Sequence, residues 1–93
     1  MQLTIDDQVT INNDVVFKEI DGEAVLLDLQ RGMYFGLDPV GTRVWHTLVE
    51  HGSARPVVAS LLGEFDVAAE TLEGDIGRLL DQLTANNLIR PRV

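Results

Sequence analysis

Residues 27–45, LDLQRGMYFGLDPVGTRVW, constrain the fold more than any other stretch of the chain. An apolar run ends at Leu29, Gln30-Arg31-Gly32 turns the chain, the short run Met33–Leu37 follows, and Asp38-Pro39 opens a helix that carries Gly41 and Trp45. A turn this short can join two strands only if they run antiparallel, because a parallel partner needs a crossover of a dozen or more residues. The stretch therefore commits the chain to a hairpin whose second strand leads straight into a helix. It pairs no nucleophile with a base, yet it is patterned residue by residue, which points to a surface that binds something rather than to an active site.

The flanking segments extend this plan. Asp14–Ile20 is short, rich in β-branched and aromatic residues and partly alternating, as a strand should be. Asp21-Gly22 is a hairpin signal, and Glu23–Leu29 is the next strand. Gly32 is the expected left-handed residue of the second turn, Met33–Leu37 is the third strand, and Val9–Ile11 is read as a small additional one. Asp38 can cap the first helix with Pro39 in its first turn. Val40, Val44, Trp45, Leu48 and Val49 form its apolar face, and Gly52 ends it. Ser53 is the expected cap of a second helix that buries Val57, Leu61, Leu62 and Phe65. Asp66 is the expected cap of a third, lined by Leu72, Ile76, Leu79, Leu80 and Leu83. Asn86-Asn87 should stop it, after which Leu88 and Ile89 pack back on the core before Pro91. The pattern predicts an α+β domain, winged helix-turn-helix-like, with a three-stranded antiparallel sheet followed by three α-helices. One domain over residues 1–93 is expected, with 1–8 as a flexible lead-in.

Composition excludes several classes of function. The chain has no cysteine, so it has no disulfide framework, thiolate nucleophile or Cys-based metal site. No apolar run approaches the roughly 18 residues a bilayer span needs, and MQLTIDDQVT carries acids where a signal peptide needs a basic region, so a cytoplasmic location is expected. Seven basic residues among fifteen acidic ones give a formal net charge of -8. Such a chain cannot present a strong basic stripe to phosphates, nor be drawn to an anionic membrane surface.

Catalytic and cofactor signals are equally thin. His46 and His51 are five residues apart, off the i, i+4 spacing that sets two ligands on one helix face, and each reads as a polar helix residue. Ser53 and Ser60 lack a neighbouring base. Asp6-Asp7 and Glu70/Glu73 look like solvated charge, and Gly32, Gly36 and Gly41 do not form a phosphate-binding loop. No catalytic residue, metal or cofactor is expected. A winged-helix DNA-binding regulator is the alternative of another class. Its reading helix would be VAAETLEGDIGRLLDQLTAN, whose acids Glu70, Glu73, Asp75 and Asp81 outnumber its one base, Arg78, and would meet phosphates repulsively.

Peptide binding fits better. A short third strand that follows a hairpin and leads into a helix belongs at a sheet edge, where unpaired N–H and C=O groups can be completed by an added strand. Gly36 would let a peptide backbone approach closely. Met33, Phe35 and Leu37 either alternate inward as core or serve the peptide's side chains, and strand addition is compatible with both. On the third helix, Thr71, Asp75, Arg78 and Gln82 lie along one flank beside Leu79, at about 100° per residue. If that flank faces the third strand, the two walls form a groove.

The run LLDLQRGMYFGLDPVGTRVWHTL, residues 26–48, resembles the PqqD-like proteins, in which an apolar strand, a Gly turn, an aromatic strand ending in Leu-Asn or Leu-Asp, and a small-residue helix with Trp follow in that order. GDIGRLLDQLTANNLI, residues 74–89, resembles that family's last helix, with Asn87 where many relatives have Gly. The resemblance covers residues 14–90. It implies a non-catalytic precursor-peptide recognition domain for ribosomally made, modified peptides. The leader segment would add as a strand to the third strand and rest against the third helix, with Met33, Tyr34, Phe35, Gly36, Leu37, Thr71, Asp75, Arg78, Leu79 and Gln82 as the expected peptide-binding residues. It further implies delivery of the precursor to a partner, of lasso-peptide type: a leader-cleaving protease, and a cyclase or other modifying enzyme. The alternative within the family is a PqqD-type chaperone that presents a precursor to a radical enzyme.

Overall fold

The structure is a computed structural model that describes residues 3–92. Its elements run β1 (Val9–Ile11), β2 (Val15–Ile20), β3 (Glu23–Asp28), β4 (Met33–Gly36), α1 (Pro39–His51), α2 (Arg55–Glu64), α3 (Ala69–Ala85) and β5 (Ile89–Pro91). The main sheet is three-stranded and antiparallel in the order β2-β3-β4. Its turns use the expected residues: Asp21 and Gly22 both have positive φ (53° and 80°), and Gly32 has φ 69°.

Asp28 contributes something the sequence pattern did not single out. Its buried carboxylate accepts the N–H groups of Gln30 (3.0 Å) and Arg31 (3.3 Å), while its carbonyl accepts Gly32 N–H at 2.8 Å. The side chain thus organises the β3–β4 turn by the local carboxylate-to-backbone bonding typical of Asp in turns.

Local chemistry also explains the helix ends. Asp38 Oδ1 accepts Gly41 N–H at 2.7 Å, Pro39 occupies the first turn, and Gly52 (φ 77°) returns its N–H to Leu48 O to close α1. Asn87 ends the run after α3 in the left-handed region (φ 59°), and Leu88 N–H reaches back to Leu83 O at 2.9 Å. Two expected caps are replaced. The residue preceding α2 is Ala54, with no side-chain bond, and Ser53 is buried; α3 starts after Ala68, also uncapped by a side chain, so Asp66 belongs to the connecting loop. Packing of each helix's apolar face outweighs a cap worth about 1 kcal/mol.

One core lies between the sheet and the helices, with Trp45, Leu26, Leu61, Leu80 and Leu83 among its largest fully buried side chains. Trp45 is 1% exposed and meets the Phe17 ring edge-on at 6.1 Å, which ties α1 to β2. Two expected core residues are instead on the surface: Val49 and Phe65 are each 48% exposed. Val49 sits at the margin of the apolar arc of α1, and Phe65 lies just past the end of α2, where helical periodicity no longer sets its direction.

The chain ends form a second, two-stranded sheet that periodicity alone did not reveal. β1 pairs antiparallel with β5, Val9 opposite Pro91 and Ile11 opposite Ile89. Residues 3–8, expected as part of a flexible lead-in, set Leu3 and Ile5 into the core at 4% and 3% exposure.

Candidate functional site

Among the described residues, β4 has β3 on one side and no strand on the other, so it is an open edge. Leu37 N–H donates to Ala24 O at 2.8 Å, which fixes the direction of the polar groups along this strand. In an antiparallel ladder, alternate residues turn N–H and C=O to the same neighbour. Phe35, opposite Leu26, and Met33, opposite Asp28, therefore face β3 as Leu37 does, while Tyr34 and Gly36 point their N–H and C=O groups at the open side. Ala24 N–H in turn donates to Thr42 Oγ1 at 2.8 Å, in the interior, so α1 holds the end of the hairpin in place.

Side chains alternate the opposite way. Phe35 is half-buried and Leu37 buried, both packed toward the helices, while the Tyr34 side chain is 74% exposed on the outer face. Phe35 and Leu37 thus pack on the core and also line a groove, forming the rim where the two meet.

Between β4 and α3 lies a groove of about 690 Å³, within the size range of pockets that bind ligands and peptide side chains. Phe35, Gly36 and Leu37 form one wall, and Asp75, Leu79 and Gln82 on α3 form the other. Of the ten residues expected at a peptide site, these six are brought together. Met33 (57% exposed), Tyr34, Thr71 and Arg78 do not line the groove. Met33 and Tyr34 lie at the turn end and on the outer face of β4. Thr71 and Arg78 are exposed, on the solvent side of the α3 flank, where Arg78 pairs with Asp75.

Sequence reasoning did not place the rest of the lining at the site, including Val40 in the first turn of α1, and Phe65 and Val67 in the loop joining α2 to α3. A signal existed for the last two. Phe65-Asp66-Val67 places two apolar side chains in a loop, where exposed apolar groups are costly unless something covers them.

The lining is apolar, with the carboxylates of Asp38 and Asp75 and the amide of Gln82 as its polar groups and no Lys or Arg. Asp38 already bonds Gly41 N–H. The two histidines are apart in role: His46 pairs with Glu19 and His51 with Glu50, both on the exposed surface. Among the described residues, no group of three or more His, Asp or Glu is placed to hold a metal ion, and no helix is long and apolar enough to cross a membrane. Away from the groove, the Arg55 guanidinium bonded to Asp6 holds that carboxyl below its ordinary value. The groove therefore offers apolar contact and backbone hydrogen bonds, without an acid–base pair.

Residues 23–89 match the family model described as coenzyme PQQ synthesis protein D, PqqD. The chain belongs to the PqqD family. Two solved structures share its fold over 90% of its length. One is "TbiB1 in Complex with the TbiA(beta) Leader Peptide", 38% identical, with a TM-score of 0.81 and 98% of that chain covered. The other is "Lasso peptide synthetase B1 complexed with the leader peptide", 25% identical, with a TM-score of 0.82 and 99% of that chain covered. No curated protein sequence matches the chain.

Proposed function

We propose that this PqqD-family domain binds the leader segment of a ribosomally synthesised precursor peptide and delivers it to processing enzymes. The observation that carries the reading is the open edge of β4 running beside an apolar groove. An extended leader can bond to the outward N–H and C=O groups of Tyr34 and Gly36. Its alternate side chains then fall on the groove, since successive residues of a strand point to opposite faces. Met33–Leu37 and the α3 residues Asp75, Leu79 and Gln82 are the proposed contacts, with Thr71 and Arg78 at the outer margin.

The domain performs no chemistry in this scheme. Anchoring the precursor raises its effective concentration at an enzyme that acts on the rest of the peptide. The lasso-peptide setting, with a leader-cleaving protease and a cyclase, is the reading we favour, because the solved relatives are leader-peptide complexes and one is a lasso peptide synthetase B1. Presentation to a radical enzyme, as for a PqqD-type chaperone, is the second reading and is supported by the family match. DNA binding has less in its favour: the acids of α3 would have to approach phosphates.

Isothermal titration of the purified domain with the TbiA(beta) leader peptide and with the leader encoded beside its own gene tests the proposal. Saturable one-to-one binding that is lost in a variant with a blocked β4 edge is expected. Absence of binding to either leader, or binding indifferent to the edge, would sink it. Adding the protease and cyclase in separate pull-downs distinguishes the lasso setting from the radical-enzyme one.

A further inference from the structure

Two opposite sides of α3 are engaged differently: one lines the groove, and the other meets the N-terminal segment. Leu79 lines the groove; Gly77, at about 100° per residue, lies about 160° around the helix from it. On that far side the N-terminal segment crosses α3 at close range. Leu3 N–H donates to Asp81 Oδ1 at 2.9 Å, and a Cβ built at Gly77 would come within 3.2 Å of the Leu3 carbonyl oxygen. Glycine is what allows this backbone to lie so near the helix.

The segment is tied down beyond the crossing as well. Thr4 N–H bonds to Asp7 Oδ2 at 2.7 Å, shaping a turn. Asp6 receives both arms of the Arg55 guanidinium, at 2.7 and 2.6 Å, which links the turn to the start of α2. Val9 N–H then donates to Gly52 O at 2.8 Å, at the end of α1. Leu3 and Ile5 are buried, yet residues 3–7 share no member with the groove lining.

We propose that residues 3–7 form a strap that positions α3 from behind, so that this segment helps set the affinity for a leader it does not touch. The inference rests on the leader-binding reading above. A strand added to β4 with side chains in the groove presses on Leu79 and its neighbours. That contact is strong only if α3 stays in place, and the strap braces the face opposite. Ordering the strap and ordering the groove wall are then the same event, and linkage makes the coupling reciprocal: the leader must stabilise the strap by the factor by which the strap strengthens the leader. Leu3, Gly77 and Asp81 are positioning residues in this scheme.

The test uses the full chain and the TbiA(beta) leader peptide. Amide exchange at Leu3 reports the strap directly, because its N–H is the one bonded to Asp81. Saturation with leader is expected to slow that exchange about tenfold, within the usual span of coupling between sites. Releasing the strap in the Leu3→Glu/Ile5→Glu double variant should weaken leader binding about tenfold, mostly through faster dissociation. Asp81→Asn, which keeps an acceptor for Leu3 N–H, should stay near the parent.

Gly77→Ala separates bracing from mere stability. Ala favours the helix but makes the Leu3 carbonyl give by a few tenths of an ångström, so leader affinity should fall severalfold while the melting temperature changes little. If the double variant fails to fold, the Gly77→Ala result and the Leu3 exchange of the parent chain decide the matter. A parent that binds the leader with unchanged Leu3 exchange, together with an unaltered Kd in Gly77→Ala, overturns the strap and leaves leader binding standing. A parent that binds no leader overturns both.

Discussion

Proline substitution at neighbouring positions of β4 should separate binding from folding, because the two faces of the strand's backbone serve different partners. Tyr34 turns its N–H to the open edge; Phe35 turns its N–H to Leu26 on β3. Tyr34→Pro removes a donor that faces away from β3 and has no strand partner among the described residues, and edge strands tolerate proline when the lost N–H faces outward. The fold should be kept, with a loss of stability of at most about 1 kcal/mol. Leader binding loses one hydrogen bond, worth about 0.5–1.5 kcal/mol net, and the ring obstructs the neighbouring strand. A total loss of about 1–3 kcal/mol is expected, or roughly 5- to 150-fold in Kd.

Phe35→Pro should do the reverse first. It removes a β3–β4 bond and leaves the carbonyl of buried Leu26 unpaired, at about 1–3 kcal/mol, and it deletes a half-buried ring. Denaturant unfolding should then show the larger loss for Phe35→Pro, while titration of the folded fraction shows the sharper binding defect for Tyr34→Pro. If Tyr34→Pro folds like the parent and binds the leader unchanged, the leader does not pair with this edge.

Other perturbations probe the groove, the core and the strap. Leu79→Asp puts a charge into the apolar α3 wall and should weaken leader binding at least about tenfold, measured by titration, while circular dichroism shows the helix content kept, since Leu79 is only half-buried. Trp45→Ala should cost about 3–5 kcal/mol in urea unfolding, the range for deleting a fully buried aromatic, since the ring is 1% exposed and anchors Phe17. The Asp6 carboxyl, held low by the Arg55 guanidinium, should titrate below the ordinary aspartate range by carbon NMR and return toward it in Arg55→Ala. Its folded pKa is depressed, so what the pair contributes is present above the unfolded pKa and disappears as pH falls through the folded one. An Asp6 pKa indifferent to Arg55 would contradict this.

Much of the fold was legible because its signals are local. Asp21-Gly22, Gly32, Asp38-Pro39, Gly52 and Asn87 each impose a backbone geometry on their own, and each stands where a turn or helix end occurs. The misreadings share a different cause. Ser53 and Asp66 are good caps in isolation, but tertiary packing places the starts of α2 and α3 beyond them. β5 contains Pro91 and a short apolar pair, so only its long-range pairing with β1 makes it a strand. Leu3 and Ile5 alternate with polar residues at the chain's start, and the core that buries them is built by distant elements, as the bond from Leu3 N–H to Asp81, 78 residues away, illustrates.

The candidate site divides the same way. Its β4 wall followed from hairpin order, and half of its α3 flank followed from helical angle. Thr71 and Arg78 share that flank but lie farther round toward solvent, a distinction that depends on how α3 is rotated against the sheet. Phe65 and Val67 enter from a loop whose path has no period to read. The strap's influence on α3 is a contact between segments 74 or more residues apart, beyond the reach of any window-based pattern.

The most direct measurement is residue-resolved amide exchange on the domain with and without saturating leader peptide. In the free domain, Phe35 and Leu37 should already be protected by β3, and Tyr34 and Gly36 should exchange rapidly. On binding, the Tyr34 and Gly36 amides should become protected together, with Leu79 shifted in the same titration, as a strand completes the edge. Protection that arises elsewhere, with Tyr34 and Gly36 still exchanging freely at saturation, would contradict strand addition.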